Sequence, residues 1–155
     1  MAEVYESRFH DMSFRAVSRD SGEVKVFTDK TAFAVGSAIS FDNESMEISS
    51  VDYFAGALLS SLMLTLRAHG RRRGVPVEDL EGSLALQLAD PLPLVGVRGA
   101  GGTPHFSRIR ATIYAWTGLT PEAFGEFCQE ALRLCPLYQT LARGADVAVL
   151  FKPLD

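Results

Sequence analysis

Short alternations of apolar and polar residues open the chain. Phe14 and Ala16 alternate with polar neighbours between Ser13 and Val17, and Val24 and Val26 do the same between Glu23 and Phe27. The turn-rich Arg19-Asp20-Ser21-Gly22 separates the two runs, which together predict a β-hairpin. A third strand is expected from Thr31 to Val35, ended by Gly36. The polar Asp42-Asn43-Glu44-Ser45 then precedes a change of period near Ser50. From Val51 to Leu66, "VDYFAGALLSSLMLTL" is apolar around most of a helical circumference, with Ser49, Ser50 and Asp52 as candidate caps and "RAHGRRRG" as its close. This predicts a central helix buried on nearly all sides. A small domain has difficulty wrapping such a helix alone, so a second copy of the chain is the natural source of cover.

The period then returns to two. Leu84, Leu86 and Leu88 alternate with Ser83, Ala85 and Gln87, and Ile109, Ala111, Ile113 and Ala115 alternate with Arg108, Arg110, Thr112 and Tyr114. Two strands with one inward face each are expected, joined by the flexible loop "ADPLPLVGVRGAGGTP". Its "GAGG" fails the register of a dinucleotide fingerprint and leads into a strand, where a pyrophosphate needs a helix N-terminus. Thr120 next caps a helix with Pro121 at its first position. Phe124, Phe127, Cys128, Ala131, Leu132 and Cys135 fall on one stripe of it. Pro136 interrupts that helix and begins a short second one over Leu137 to Ala142, with Cys135 at its N-cap. Val147, Val149 and Phe151 end the chain as an inward-facing strand. The order β-β-β-α-β-β-α-α-β predicts an α+β fold.

The chain has 155 residues, 47% hydrophobic and 22% charged, which suits one globular domain spanning residues 1–155. The start, MAEVYESRFHD, lacks an apolar run with a small-residue cleavage site, so a cytoplasmic location is expected. The Val51–Leu66 run is short for a bilayer and carries Asp52, Ser60, Ser61 and Thr65, so no membrane role is expected. A formal net charge of −4 argues against nucleic acid. The local cluster Arg67, Arg71, Arg72 and Arg73 reads as a solvated helix end favoured by the helix dipole. His10, His69 and His105 are scattered and no Cys/His spacing suits a metal, so neither metal nor cofactor is expected. On a continuous helix Cys128 and Cys135 would be separated by roughly 10 Å of rise, beyond the ~7 Å Cα limit of a disulfide.

Two segments carry a resemblance. "SSVDYFAGALLSSLMLTLRAHGRRRGVPVEDLEGSL", Ser49 to Leu84, is similar to the central helix and following strand of the osmotically inducible protein C (OsmC) and organic hydroperoxide resistance family, and "FCQEALRLCPLYQTL" resembles its second cysteine motif. With the element order, the similarity runs from about Phe14 onward. It implies an antiparallel sheet packed around the buried helix in an intertwined homodimer. It also implies a thiol peroxidase cycle: a cysteine on the central helix attacks a hydroperoxide, and the Cys-Pro cysteine resolves it as a disulfide that a dithiol reopens. Cys135 matches the resolving position, but Ser61 occupies the first. The helix-start glutamate is replaced by Val51, beside Asp52. Arg15 is the candidate for the arginine that steadies the thiolate, with Arg110 as another arginine whose direction is open.

A serine hydroxyl is not ionised near neutral pH and cannot carry an oxygen atom as a sulfenate. No GxSxG motif surrounds it to suggest a hydrolase. Ser60 and Ser61 therefore read as small residues that let helices approach, and both cysteines as core thiols. Two functions remain. One is a stress-associated homodimer with a degenerate peroxidase site and an apolar interfacial pocket formed by Phe54, Leu58, Ser61, Phe124, Cys128 and Cys135, fit for a small apolar or hydroperoxide ligand. The other is a diverged thiol-dependent hydroperoxide reductase that uses Cys135, its thiolate favoured by the helix N-terminus, with Cys128 as resolver and Arg15 beside it.

Overall fold

The computed structural model describes residues 8–20 and 22–155. The amino-terminal residues 1–7, read above for a leader, and Ser21 of the first turn lie outside the described residues. Contacts divide the chain into two compact units, Met1–Tyr53 and Phe54–Asp155. The element order is the expected one.

In the first unit, β1 (Arg15–Ser18), β2 (Val24–Phe27) and β3 (Ala32–Val35) form an antiparallel meander, with Arg15 opposite Phe27 and Val24 opposite Val35. Gly22 at φ 76° supplies the left-handed turn conformation between β1 and β2. After β3 the chain returns alongside itself through a parallel bridge between Ser37 and Ser49. Helix α1 (Ser50–Arg73) begins there with a reciprocal cap. The Ser49 backbone N–H and hydroxyl donate to Asp52 Oδ2 at 2.8 and 2.9 Å, and the Asp52 N–H donates to Ser49 Oγ at 3.2 Å. Two otherwise unpaired backbone donors are satisfied this way. The two bonds from Ser49 hold the Asp52 carboxyl below its ordinary pKa of 3.8. Tyr53 packs its ring 4.8 Å from Phe33 and donates its hydroxyl to the Ala34 carbonyl.

In the second unit, β4 (Glu78–Ala89), β5 (His105–Trp116) and β6 (Val147–Pro153) form a sheet in that order. Strand β4 pairs antiparallel with β5, but β6 runs parallel to β5, so this sheet is mixed and not wholly antiparallel. A parallel pair needs a long crossover, which α2 (Pro121–Leu132) and α3 (Pro136–Leu141) provide. The β4–β5 loop holds one 3₁₀ turn, Leu92–Val95, closed by Gly96 at φ 72°. Thr120 Oγ1 accepts from the Ala123 N–H and Pro121 takes the first helical position, as the sequence predicts.

Leu58, Leu62 and Leu66 of α1, the inward Ile109, Ala111, Ile113 and Ala115 of β5, and Phe124, Phe127, Cys128, Ala131 and Leu132 of α2 form the buried core, closed by Cys135. A fully buried Leu or Ile contributes about 1.5–3 kcal/mol. Gly70 lets the chain turn tightly after α1, because a Cβ there would lie 2.6 Å from both the Val75 carbonyl oxygen and Val77 Cγ2. The burial of α1 is narrower than its composition suggests. Its buried positions are Leu58, Leu62, Leu66, His69 and Gly70, a single stripe, while Leu64 is 60% exposed. One chain supplies cover for one side of the helix only. The basic run does not end α1 at Leu66 but continues it for two turns, with Gly74 at φ 68° just beyond Arg73.

Candidate functional site

The site is built where α1 meets the α2–α3 junction. Strand β5 supplies a floor of Ile and Ala, and the apolar stripe of α2 docks on it, so the junction at Cys135 is held against α1. Helix α2 stops at Leu132 because Pro136 disfavours helical conformation just before itself. Cys135 accordingly takes an extended conformation (φ −95°, ψ 102°) at the N-cap of α3. Its side chain makes no capping hydrogen bond there. The fully buried Cys135 Sγ instead lies 3.4 Å from Ser61 Oγ, across 74 residues of sequence. The two positions that the resemblance makes a pair are thus neighbours.

Cys128 and Cys135 are both free. Cys128 is in the core, and burial pushes its thiol up to about 12, so it is protonated at neutral pH and inert as a nucleophile. Leu58, Phe124 and Cys128 are packed within the core, and Phe54 stacks on Phe106 with centroids 6.0 Å apart. Of the residues expected to line an apolar pocket, Ser61 is the one that borders an open groove. That shallow surface groove is formed by Ala57, Ser60, Ser61, Leu64, Thr65, Ala68 and Leu137. Ser60 Oγ is occupied with the Ala57 carbonyl, one turn back on its own helix.

The two candidate arginines belong to different units. Arg110 is committed to the sheet: it donates to the Asp146 carboxylate at 2.9 Å and to the carbonyls of Ile109 and Asp146. The bond from Arg110 holds the Asp146 carboxyl below its ordinary value. Arg15 belongs to the N-terminal unit, with its guanidinium 5.4 Å from the centre of the Phe27 ring. Asp52, next to the replaced helix-start glutamate, is spent on the cap of α1.

One polar cluster was missed by the sequence reading. The buried His69 places Nε2 3.0 Å from Glu130 Oε2 and its ring 4.8 Å from Phe127, while Arg73 Nε lies 3.7 Å from the same carboxylate oxygen. A carboxylate only accepts, so Nε2 carries the proton. The signal for His69 was its place on the stripe Leu58–Leu62–Leu66. Nothing local points to Glu130, 61 residues away.

The family model described as OsmC-like protein matches residues 42–149. A sequence search of curated proteins finds no significant match. Among solved structures, the chain resembles an OsmC-like protein from Mycoplasma pneumoniae at TM-score 0.72 and 10% identity, covering 94% of this chain and 96% of that one. It resembles an organic hydroperoxide resistance protein OsmC from Legionella pneumophila at TM-score 0.64 and 13% identity, covering 94% and 99%. The organic hydroperoxide resistance protein OhrB of Bacillus subtilis matches at TM-score 0.60 and 14% identity, covering 90% and 96%. Those identities speak for the fold alone, but the family match spans more than half the chain: this protein belongs to the OsmC-like protein family.

Proposed function

We propose that this chain is a stress-associated cytoplasmic homodimer, a single OsmC-like domain whose thiol peroxidase site has lost its first sulfur and which keeps an apolar surface between subunits for a small apolar ligand. The observation that carries this reading is the 3.4 Å approach of Ser61 Oγ to Cys135 Sγ. The position facing the Cys-Pro thiol bears an oxygen that cannot be oxidised to a sulfenate. Cys128 offers no replacement, since burial keeps its thiol protonated. The exposed Leu64 and Leu137 of the groove support the homodimer, because they form apolar surface that a second copy would cover.

The test is peroxide consumption with a dithiol reductant. The native chain should not turn over cumene hydroperoxide, and Ser61→Cys should gain hydroperoxide-dependent closure of a disulfide to Cys135. In that variant the new thiolate takes the distal peroxide oxygen, releasing the alcohol. Attack by Cys135 on the resulting sulfenic acid then forms the S–S bond and expels water. Native turnover that Cys135→Ser abolishes would replace this reading with that of a diverged peroxidase. The dimer is tested by sedimentation: Leu64→Glu should shift the protein to monomer, and a native chain that is monomeric at high concentration would remove the interfacial part of the proposal.

A further inference from the structure

The N-terminal sheet carries a second cluster of charged and apolar side chains. On one face of β1 and β2, Arg15, Arg19 and Lys25 surround Val17 and Phe27 in an open basin, with Glu23 at its edge. The strand register explains the grouping. Arg15 is directly opposite Phe27, and Val17 opposite Lys25, so cation and apolar residue alternate diagonally across one face. The Arg15 guanidinium lies 5.4 Å and the Lys25 ammonium 5.7 Å from the Phe27 ring centre. Two cations therefore flank one phenyl ring, each within cation–π reach. Among the described residues, none of the three cations takes part in an ion pair. The basin holds a net excess of two positive charges in a chain whose formal net charge is −4.

The geometry points to a binding site for a small organic anion: an oxyanion, carboxylate or phosphate, joined to a flat apolar group. The oxyanion would engage Arg15 and Lys25, and the apolar group would lie over Val17 and Phe27. Two features favour such a ligand over a bare inorganic ion. Resting the cations on an aromatic ring limits the side-chain freedom that binding must remove. The apolar floor rewards a ligand that brings surface to bury, which an inorganic ion lacks. Arg15 also presents a planar fork suited to two oxygens of one carboxylate or phosphate.

The experiment is a titration of the full chain, followed by backbone and side-chain NMR, with phenyl phosphate, benzoate, inorganic phosphate and benzyl alcohol as probes. Phenyl phosphate and benzoate should shift resonances of β1 and β2, each binding more tightly than inorganic phosphate, and benzyl alcohol should not bind. Which of the two binds better distinguishes a phosphate from a carboxylate ligand. The pair Arg15→Gln and Lys25→Gln should weaken binding by about tenfold or more, the loss expected for two charge-assisted hydrogen bonds. Phe27→Leu should weaken phenyl phosphate while leaving inorganic phosphate unchanged. Unchanged β-strand resonances without ligand would show that the variants keep the fold. The proposal is overturned if neither aryl anion perturbs the sheet, if the paired variant binds them as well as the native chain, or if inorganic phosphate binds equally tightly. A single-stranded oligonucleotide that outcompetes phenyl phosphate at physiological salt would overturn it in favour of nucleic acid.

Discussion

The N-terminal and C-terminal sheets each have three strands and the same two-residue period, yet they end differently. In β2, Val24 and Val26 alternate with Lys25 and Phe27, and none becomes fully buried; the described N-terminal strands contribute only Val35 to the buried set. In β5, Ile109, Ala111, Ile113 and Ala115 alternate with Arg110, Thr112 and Tyr114 and are buried throughout. The difference lies in what covers each face. The apolar stripes of α1 and α2 share one buried core with the inward residues of β5. The N-terminal sheet has four-residue strands, and among the described residues of its own unit the Tyr53 ring packs against Phe33. Alternation therefore marks which residues share a face, while burial depends on a second layer with its own stripe. It also explains how Arg15, Lys25 and Phe27 share an open face where the C-terminal sheet has a core.

The strongest way to break this comparison is to truncate one side chain in each region. Leu66→Ala, at a fully buried α1 position, should cost about 2–5 kcal/mol through lost burial and the cavity left behind. Val26→Ala, at a half-buried position in β2, should cost about 1 kcal/mol or less, since less apolar area returns to water. Urea unfolding followed by circular dichroism measures both. Equal losses would mean that the N-terminal sheet is as well covered as the core.

Gly70 sharpens the comparison at a single atom. In a helix interior alanine is favoured over glycine by up to about 1 kcal/mol. Here the added Cβ would meet a backbone carbonyl oxygen, which cannot rotate away as a side chain can. Gly70→Ala should therefore destabilise by about 1–3 kcal/mol, as overpacking does. Gly82 is the contrast. A Cβ there would meet the flexible ends of Met63 and Leu59, so Gly82→Ala should cost less than Gly70→Ala in the same measurement.

Local chemistry made much of this legible in the sequence. Thr120, Pro121 and the stripe from Phe124 to Cys135 announce α2 and its break, because capping, proline sterics and helical period act over a few residues. The approach of Ser61 to Cys135 was not legible from local pattern; it came through the family resemblance, which paired those two positions. Other features were hidden. Strand β4 begins at Glu78, six residues before the alternation that starts at Leu84, since Glu78, Asp79 and Glu81 are polar and a shift in pairing with Asp79 at φ 48° breaks the alternation. The parallel direction of β6 was hidden because a two-residue period carries no sense of direction. The bond between His69 and Glu130 joins residues 61 positions apart, with no local signal linking them. The stripe of α1 that one chain buries was hidden as well, because composition around a helix does not say which neighbours come from the same chain.

The smallest expected effect is electrostatic and also divides between the units. Asp52 in the first accepts from Ser49, Asp146 in the second from Arg110, and both carboxyls are held below their ordinary value. A carboxylate whose pKa is lower in the folded chain binds fewer protons there than in the unfolded chain, so its stabilisation is fully present above the unfolded value, 3.8 for these groups, and is lost as pH falls through the depressed folded one. Asp52→Asn should thus lower stability at neutral pH and flatten the acid limb of the stability–pH profile, with the difference from the native chain shrinking below about pH 4. Hydrogen exchange locates the change. For Asp52→Asn, faster exchange should be concentrated at the first turn of α1, and for Asp146→Asn around β5 and β6, where Arg110 and Asp146 join the start of the parallel pair. Because both carboxylates are solvent-exposed, added salt should diminish the Asp146 effect. The Asp52 effect should persist, since its bonds come from the Ser49 N–H and hydroxyl rather than from a full charge. Equal salt sensitivity would mean that the Asp52 contribution comes from the field of α1 and not from the cap.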